Sequence, residues 1–178
     1  MIDSDKDIIM EFCIYTQKEV LSDGDLADRL IDIIVDNMSY LFGDDMGSDE
    51  NRKEWKQNQL MTDDPAWRAV VGVKCGEILG FIIYTVKNRA LSINEFEIVK
   101  THRRDHVLMI GMLQTMIAGE YDSFDTIRSY INKRNIESQK NFLRYATSVS
   151  ETERGYRFVI NEEKTALIKE RFRKRENR

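Results

Sequence analysis

The spacing of apolar residues predicts that the chain opens with one strand and two helices. A run of β-branched and aromatic residues over 8–15 is bounded by polar residues, which is typical of a strand. Over 25–42, apolar residues recur at steps of three and four, which predicts an amphipathic helix that ends at Gly43. A second helix is expected over 49–61, with Ser48 as its N-cap.

The period of the pattern changes at the only proline, Pro65. Residues 66–74 and 78–87 predict two strands joined by a tight turn at 75–77. A second turn, at 88–90, leads into a third strand that begins near Ser92. The three strands are therefore expected to be antiparallel neighbours in one sheet.

The third strand runs through a basic turn into an apolar helix that begins near Val107. Asp105 or Thr101 can cap this helix, whose first turn offers unpaired backbone N–H groups and the positive end of the helix dipole. The basic residues of the turn are His102, Arg103, Arg104 and His106. Such a turn suits an anion such as a phosphate, although a solvated turn without a ligand fits the same residues.

The remaining elements complete a mixed α/β protein. We predict a strand over 126–133, a helix over 136–145, a hairpin over 148–153 and 156–160, and a charged helix over 162–178. The expected fold class is α/β (α+β), with a mixed, mainly antiparallel, twisted sheet flanked by helices. Residues 1–161 would form one domain and residues 162–178 a helical tail.

Composition limits the classes of protein to consider. The chain has 178 residues, of which 42% are hydrophobic, enough for one domain with a sizeable core. It has no apolar run of roughly 18 residues and no basic region before an apolar N-terminal patch, so a cytoplasmic protein without a membrane partner is expected. Cys13 and Cys75 lie far apart in sequence, which predicts two buried thiols and neither a disulfide framework nor a metal site.

Charge is divided unevenly along the chain. Residues 1–65 hold 17 Asp and Glu against 6 Lys and Arg, whereas residues 66–178 hold 14 against 21. The two parts could face a cationic substrate and an anionic cofactor, or they could be solvated surfaces. The basic tail has no aromatic residue except Phe172, so no nucleic-acid partner is expected, and a helix that is solvated or packs on a second subunit is favoured.

Three segments carry a similarity to a known family. They are GEILGFIIYTV at 76–86, FEIVKTHRRDHVLMIGML at 96–113, and Asn135, Ser138 and Phe142 in NIESQKNFL. Together with the order of elements over roughly 8–160, they resemble the GNAT-type N-acetyltransferase superfamily. The resemblance implies transfer of an acetyl or other acyl group from acyl-CoA to an amine, by direct attack in a ternary complex. Acetyl-CoA or another acyl-CoA would be the co-substrate.

The second segment corresponds to the family's acyl-CoA motif, usually R/Q-x-x-G-x-G/A, in which backbone N–H groups bind the pyrophosphate. The resemblance implies a thioester site at Phe96, Ile98 and Val99, and a phosphate site at Arg103, Arg104, Asp105, His106, Val107, Leu108 and Met109. His106 and Leu108 take the glycine places if Arg103 is the motif arginine. Val107 and Met109 take them if it is Arg104. Neither register restores a glycine, so side chains should crowd a pyrophosphate.

The third segment resembles the closing motif N-x-x-A-x-x-x-Y, in which Asn contacts the cofactor and Tyr often protonates the leaving thiolate. Asn135 and Ser138 match acceptably, and Phe142 stands in the tyrosine place. Phenylalanine has no hydroxyl, so it cannot donate a proton. Tyr145 or Tyr130 could substitute, although a tyrosine is more often a packing residue at the edge of the core.

Acylation of an amine needs a base because a protonated amine has no lone pair with which to attack the thioester. A strand carboxylate often serves in the family. Alternation places Glu95 and Glu97 on one face of the third strand, with Phe96 and Ile98 on the other. We predict Glu97 as the base because it lies nearer the expected acyl group, with Glu95 beside it. The alternative is that both face solvent.

The acceptor side of the family implies a further group of residues, the acidic region Asp44, Asp45, Asp49 and Glu50. A cationic small-molecule or peptide amine is the expected partner, bound by a monomer or a homodimer. The missing glycines and tyrosine leave a second hypothesis open, in which the protein is an inactive GNAT-fold binding or structural module.

Overall fold

The computed structural model describes residues 10–43 and 47–176. The strands are β1 (Met10–Thr16), β2 (Trp67–Lys74), β3 (Glu77–Lys87), β4 (Ala90–Ile98), β5 (Thr126–Asn132), β6 (Ser148–Glu151) and β7 (Gly155–Ile160). The helices are α1 (Gln17–Ser22), α2 (Gly24–Phe42), α3 (Asp49–Leu60), α4 (His106–Gly119), α5 (Ile136–Leu143) and α6 (Glu162–Glu176). The predicted order of elements is confirmed, and α1 is an addition to it.

Side-chain caps set the helix starts. Asp23 accepts from the Leu26 backbone at the start of α2, and Ser48 accepts from the Asn51 backbone at the start of α3. The helix that the sequence analysis missed, α1, begins with a reciprocal capping box between Thr16 and Glu19. Six residues are too few to show an apolar period, so the capping box was the sequence feature that indicated α1.

The seven strands form one sheet in the order β1-β2-β3-β4-β5-β7-β6. β1 to β4 are antiparallel, β4 and β5 are parallel, and β5 to β7 return to antiparallel pairing. The parallel pair needs a crossover, which α4 supplies. This confirms the predicted mixed, mainly antiparallel sheet flanked by helices.

Two hydrophobic cores lie on the two faces of the sheet. The first core joins α1, α2 and α3 to the sheet through residues such as Leu30, Ile34 and Trp67. The second core joins α4 to the opposite face through residues such as Leu108 and Met112. Each strand from β2 to β4 alternates between the cores, so a residue's register decides which helices it faces.

A bulge in β4 reverses that register at one point. Ile83 of β3 pairs with Glu95 and Tyr84 pairs with Ile93, which leaves Asn94 as the extra residue. Ile93 points into the second core, and without the bulge Glu95 and Glu97 would follow it there. The extra residue turns both carboxylates to the face covered by α2 and α3, with Phe96 and Ile98 against the second core.

Two expectations about the surface are corrected. Cys75 lies exposed in the β2–β3 turn at a φ of 55°, and Cys13 is only half-buried, so the two thiols are not core residues. The charged segment from residue 162 packs through Ile168 and Phe172 on the second core of its own chain. Within the described residues, no helix combines the length and the apolar character needed to cross a bilayer.

Candidate active site

β4 and β5 separate partway along their length. Ala90–Ile93 pairs with Thr126–Ser129, after which β4 continues to Ile98 and β5 to Asn132 without pairing to each other. The two strands therefore diverge into a V-shaped gap in the middle of the sheet. Backbone groups on the facing edges of this gap have no ladder partner across it, so they are available to a bound molecule.

A cavity of about 970 Å³ occupies the gap. Trp55 and Trp67 line it from the face of the first core, and Phe96 and Phe142 line it from the face of the second core. Because its walls come from both faces, the cavity spans the sheet. Two molecules that entered from opposite faces could meet inside it.

Glu97 lies in the wall of this cavity and is only 7% exposed. Burial raises the pKa of its carboxyl from the ordinary 4.5 to about 7, against the opposing effects of a hydrogen bond from Asn37 and the charge of Arg103. A carboxyl with that pKa exchanges a proton readily near neutral pH, which is the property a general base requires.

Glu95 also lines the cavity and is half-buried. Burial raises the pKa of its carboxyl well above the ordinary value, and the negative charge of Glu97 raises it further. The two carboxyls are therefore coupled, because a negative charge on Glu97 opposes the ionisation of Glu95.

Asn37 of α2 connects Glu97 to the basic turn. Its Nδ2 donates to Glu97 Oε2 at 2.6 Å and to the Ile98 carbonyl at 3.0 Å, while its Oδ1 accepts from Arg103 at 2.9 Å. The side chain is 4% exposed and fully engaged. Asn37 was not among the site residues predicted from the sequence, although a polar residue within the apolar stripe of α2 indicates a buried polar contact.

The basic turn contains a short 3-10 helix, Lys100–His102, followed by α4. Asp105 caps α4, and its Oδ1 accepts from the backbone N–H groups of Val107 at 2.9 Å and Leu108 at 3.0 Å. Val107 and Leu108 belong to the segment that the resemblance assigns to the phosphates. Two backbone N–H groups of that segment are therefore already bonded to an internal carboxylate, and the turn lies outside the lining of the cavity.

The other predicted phosphate residues are distributed around this cap. Arg103, Arg104, His106 and Val107 are exposed, Val107 with 69% of its surface accessible, and Met109 is half-buried. Leu108 is fully buried and points into the core beside Gly72, so its side chain cannot contact a cofactor. Val99 packs against both cores at the end of β4.

The α5 residues lie at the cavity. Asn135 caps α5 by accepting from the Ser138 backbone at 3.1 Å, and both residues line the cavity with Phe142. The Phe142 ring lies 5.9 Å from that of Phe158, which fixes its orientation. Of the two tyrosines considered as substitutes, Tyr130 lines the cavity and Tyr145 does not.

The described residues of the predicted acidic acceptor region do not line the cavity. Asp49 and Glu50 are exposed in the first turn of α3 and do not line the cavity, whereas Asp44 and Asp45 lie outside the described residues. The acidic residues in the cavity wall are Glu95, Glu97 and Asp64, the last paired with Lys87 at 2.7 Å. Sequence analysis also missed two cavity arginines, Arg128 and Arg157.

Comparison with solved structures identifies the fold. The chain is similar to the PaiA N-acetyltransferase of Thermoplasma acidophilum, solved with coenzyme A, at 10% identity and a TM-score of 0.63 over 86% of this chain and 99% of that one. It is similar to a GNAT-family acetyltransferase of Staphylococcus aureus at 12% identity and a TM-score of 0.62, over 86% of this chain and 99% of that one.

A third similar structure contains its amine substrate together with coenzyme A. It is the diaminobutyrate acetyltransferase of Paenibacillus lautus, in complex with 2,4-diaminobutyric acid and coenzyme A. Identity is 18% and the TM-score 0.56, over 87% of this chain and 96% of that one. No protein-family model and no curated protein sequence matches the chain. The structural matches confirm the predicted GNAT N-acetyltransferase fold.

Proposed function

We propose that this chain, which has the GNAT N-acetyltransferase fold, transfers an acetyl or other acyl group from acyl-CoA to an amine. The observation that carries the proposal is the cavity that spans the sheet between β4 and β5, with Glu97 in its wall. The similar structures with bound coenzyme A support the same cofactor class here. Donor and acceptor would enter from opposite faces and meet in a ternary complex.

The donor would lie in the gap between the strands. Its pantetheine arm would hydrogen-bond the unpaired edge of β4 between Phe96 and Ile98, and Asn135, Ser138 and Phe142 of α5 would border it. The diphosphate would bind at the basic turn through Arg103 and Arg104, both exposed residues, of which Arg103 also donates to Asn37. Binding through the helix N-terminus itself would require the Asp105 carboxylate to move aside.

The acceptor amine would approach from the side of α2 and α3, where the bulge directs Glu95 and Glu97. Glu97 takes a proton from the ammonium, directly or through a water molecule. The amine nitrogen then attacks the thioester carbonyl, the new C–N bond forms and the C–S bond breaks. The nitrogen loses its second proton to the departing CoA thiolate, directly or through a water molecule, so the products are the amide and the CoA thiol. Glu95, beside Glu97 in the cavity wall, would hydrogen-bond the acceptor amine.

Replacing Glu97 with glutamine tests this function. E97Q should lower kcat for CoA release about 10²- to 10⁴-fold, the usual contribution of a general base. Acetyl-CoA at about 100 times its Kd should still stabilise the variant by about 2.7 kcal/mol, as it should the unmodified protein. Glu77, exposed on β3, provides the control E77Q, which should leave turnover unchanged. Unchanged turnover in E97Q would remove Glu97 from the mechanism.

A non-catalytic GNAT-fold binding module is the second candidate. The Asp105 cap favours it, because a carboxylate on the first-turn N–H groups opposes a phosphate at the same place. Phe142 adds to it, since it supplies no proton to a thiolate. The absence of any thermal shift with acetyl-CoA or longer acyl-CoAs would favour this module over the transferase.

A further inference from the structure

The acidic and basic side chains on the acceptor side of the cavity lie on opposite walls. Glu95 and Glu97 lie on β4, whereas Arg128 on β5 and Arg157 on β7 line the opposite wall. A cavity with this distribution matches a ligand that carries a positive charge at one end and a negative charge at the other.

The register of the strands places the two arginines on the acceptor face. In the parallel pairing of β4 and β5, Arg128 is the partner of Ser92. Ser92 pairs with Thr85 of β3, and Thr85 pairs with Trp67 of β2, which belongs to the first core. Arg128 therefore lies on the face that α2 and α3 cover, as Glu95 and Glu97 do. Its neighbour on β5, Ile127, points into the second core, which agrees with the alternation of side chains along a strand.

Arg157 shares that face. It pairs with Tyr130, two residues beyond Arg128, so the two arginines form a diagonal cross-strand pair with Cβ atoms about 7–8 Å apart. Two guanidinium groups at that spacing can converge on one anion, each offering parallel N–H donors that suit a carboxylate. Tyr130, in the same cavity wall, adds a hydroxyl beside them.

Within the described part of the chain, neither arginine is paired with a carboxylate. Among residues 10–43 and 47–176, no carboxylate forms a salt bridge with Arg128 or Arg157, and both side chains are exposed. The other charged group on this side of the cavity, Asp64, is already paired with Lys87. The uncompensated positive charge thus faces the space that the acceptor would fill.

We propose that the acceptor is a small zwitterion whose carboxylate binds Arg128 and Arg157 while its amine faces Glu97. This inference rests on the proposed transferase function and names its substrate class. Ser92, level with Arg128, and Glu97 are about 13 Å apart along β4 at roughly 3.3 Å per residue, allowing for the bulge. The side chains cover part of this separation, and the remainder leaves room for a ligand whose amine and carboxylate are several bonds apart, as in an ω-amino acid or a short peptide.

A paired substrate series tests the proposal. CoA release is measured for ω-amino acids from glycine to 6-aminohexanoate, and for the amide of each, which keeps the amine and removes the anion. The longer ω-amino acids should have kcat/KM at least tenfold above that of their amides. R128Q and R157Q should each raise KM for the ω-amino acid about tenfold and leave kinetics with the amide unchanged. R171Q, at an exposed position on α6, is the control.

The possible outcomes distinguish failure of the zwitterion proposal from failure of the proposed transferase function. Equal turnover of acid and amide, or equal loss of both in the arginine variants, would overturn the zwitterion and leave the transferase intact. A phosphate-bearing amine preferred over every carboxylate would overturn the carboxylate assignment. Absence of CoA release with every amine would overturn the transferase and this inference together. Both arginines are exposed, so unchanged melting temperatures should verify that the variants fold.

Discussion

Asn37 donates a 2.6 Å hydrogen bond from Nδ2 to Oε2 of Glu97, across 60 residues of sequence. The bond favours the ionised carboxylate, so it lowers the pKa of Glu97 against the larger effect of burial. The same amide accepts from Arg103 at the basic turn. Asn37 is thus a positioning residue that links the proposed base to the proposed diphosphate site.

Removing that link should move the pH dependence of the reaction. N37A deletes the hydrogen bond to Glu97, so the pKa of Glu97 should rise above about 7 and the acidic limb of kcat/KM should shift to higher pH. The matched control is S39A on the same helix, which removes a hydrogen bond to the Val35 carbonyl and none at the cavity. An acidic limb that stays in place in N37A, with turnover intact, would separate Asn37 from the titration.

The raised pKa of Glu97 also predicts how stability depends on pH. A carboxyl with a pKa of 4.5 unfolded and about 7 folded binds its proton more tightly in the folded protein. The free energy of unfolding should therefore fall as pH rises from about 4.5 to 7, by up to about 3 kcal/mol from this group. E97Q cannot ionise, so urea unfolding should find it more stable than the unmodified protein at pH 8, with the difference shrinking toward pH 5.

This prediction is contradicted if the free energies of unfolding of E97Q and the unmodified protein differ by the same amount at pH 5 and at pH 8. E95Q gives a second measurement, because burial and Glu97 raise the pKa of Glu95 well above its ordinary value. It should show the same direction of change.

Local patterns in the sequence account for most of the elements. The β2–β3 and β3–β4 turns follow from Cys75-Gly76 and Asn88-Arg89, whose positive φ angles suit two-residue hairpins. Asp105 and Thr101 were the two candidate caps before the apolar helix, and Asp105 is the one that caps it. Each of these features depends on residues within a few positions of one another, so each could be predicted from the sequence.

The site depends on pairings that no local pattern contains. The bulge at Asn94 exists only because β3 and β4 pair in one particular register, and it decides which core Glu95 and Glu97 face. The contact between Asn37 and Glu97 requires α2 to cross β4, and Arg128 meets the cavity only through the parallel pairing of β5. The proposed base was therefore predictable from the resemblance, whereas its partners were not.

Close packing of β3 on β4 holds Glu97 in position, and Gly80 permits it. A Cβ at Gly80 would lie 2.8 Å from the Glu97 carbonyl oxygen, too close for β4 to remain where it is. G80A should cost about 1–3 kcal/mol in urea unfolding and should also lower turnover, because Glu97 moves with its backbone. Gly24, which has open space around its Cβ position, provides the control G24A. Its stability should be unchanged or slightly higher, since alanine favours a helix.

The last prediction concerns Asp105, whose carboxylate caps α4 where a diphosphate would otherwise bind. D105N keeps a side-chain oxygen for the cap and removes the negative charge. If the diphosphate binds at this turn, the loss of a like charge at close range should tighten acetyl-CoA binding by about 1–2 kcal/mol, a five- to thirtyfold lower Kd by calorimetry.

Asp23 supplies the matched control, because it caps α2 in the same way and does not line the cavity. D23N should leave the affinity for acetyl-CoA unchanged, which separates the charge at the turn from a general effect of exchanging a cap. A weaker affinity in D105N would mean that the carboxylate assists the cofactor. An unchanged affinity would mean that the diphosphate binds away from the start of α4, on the arginine side chains alone. The direction of this one change therefore decides whether the cap opposes the cofactor.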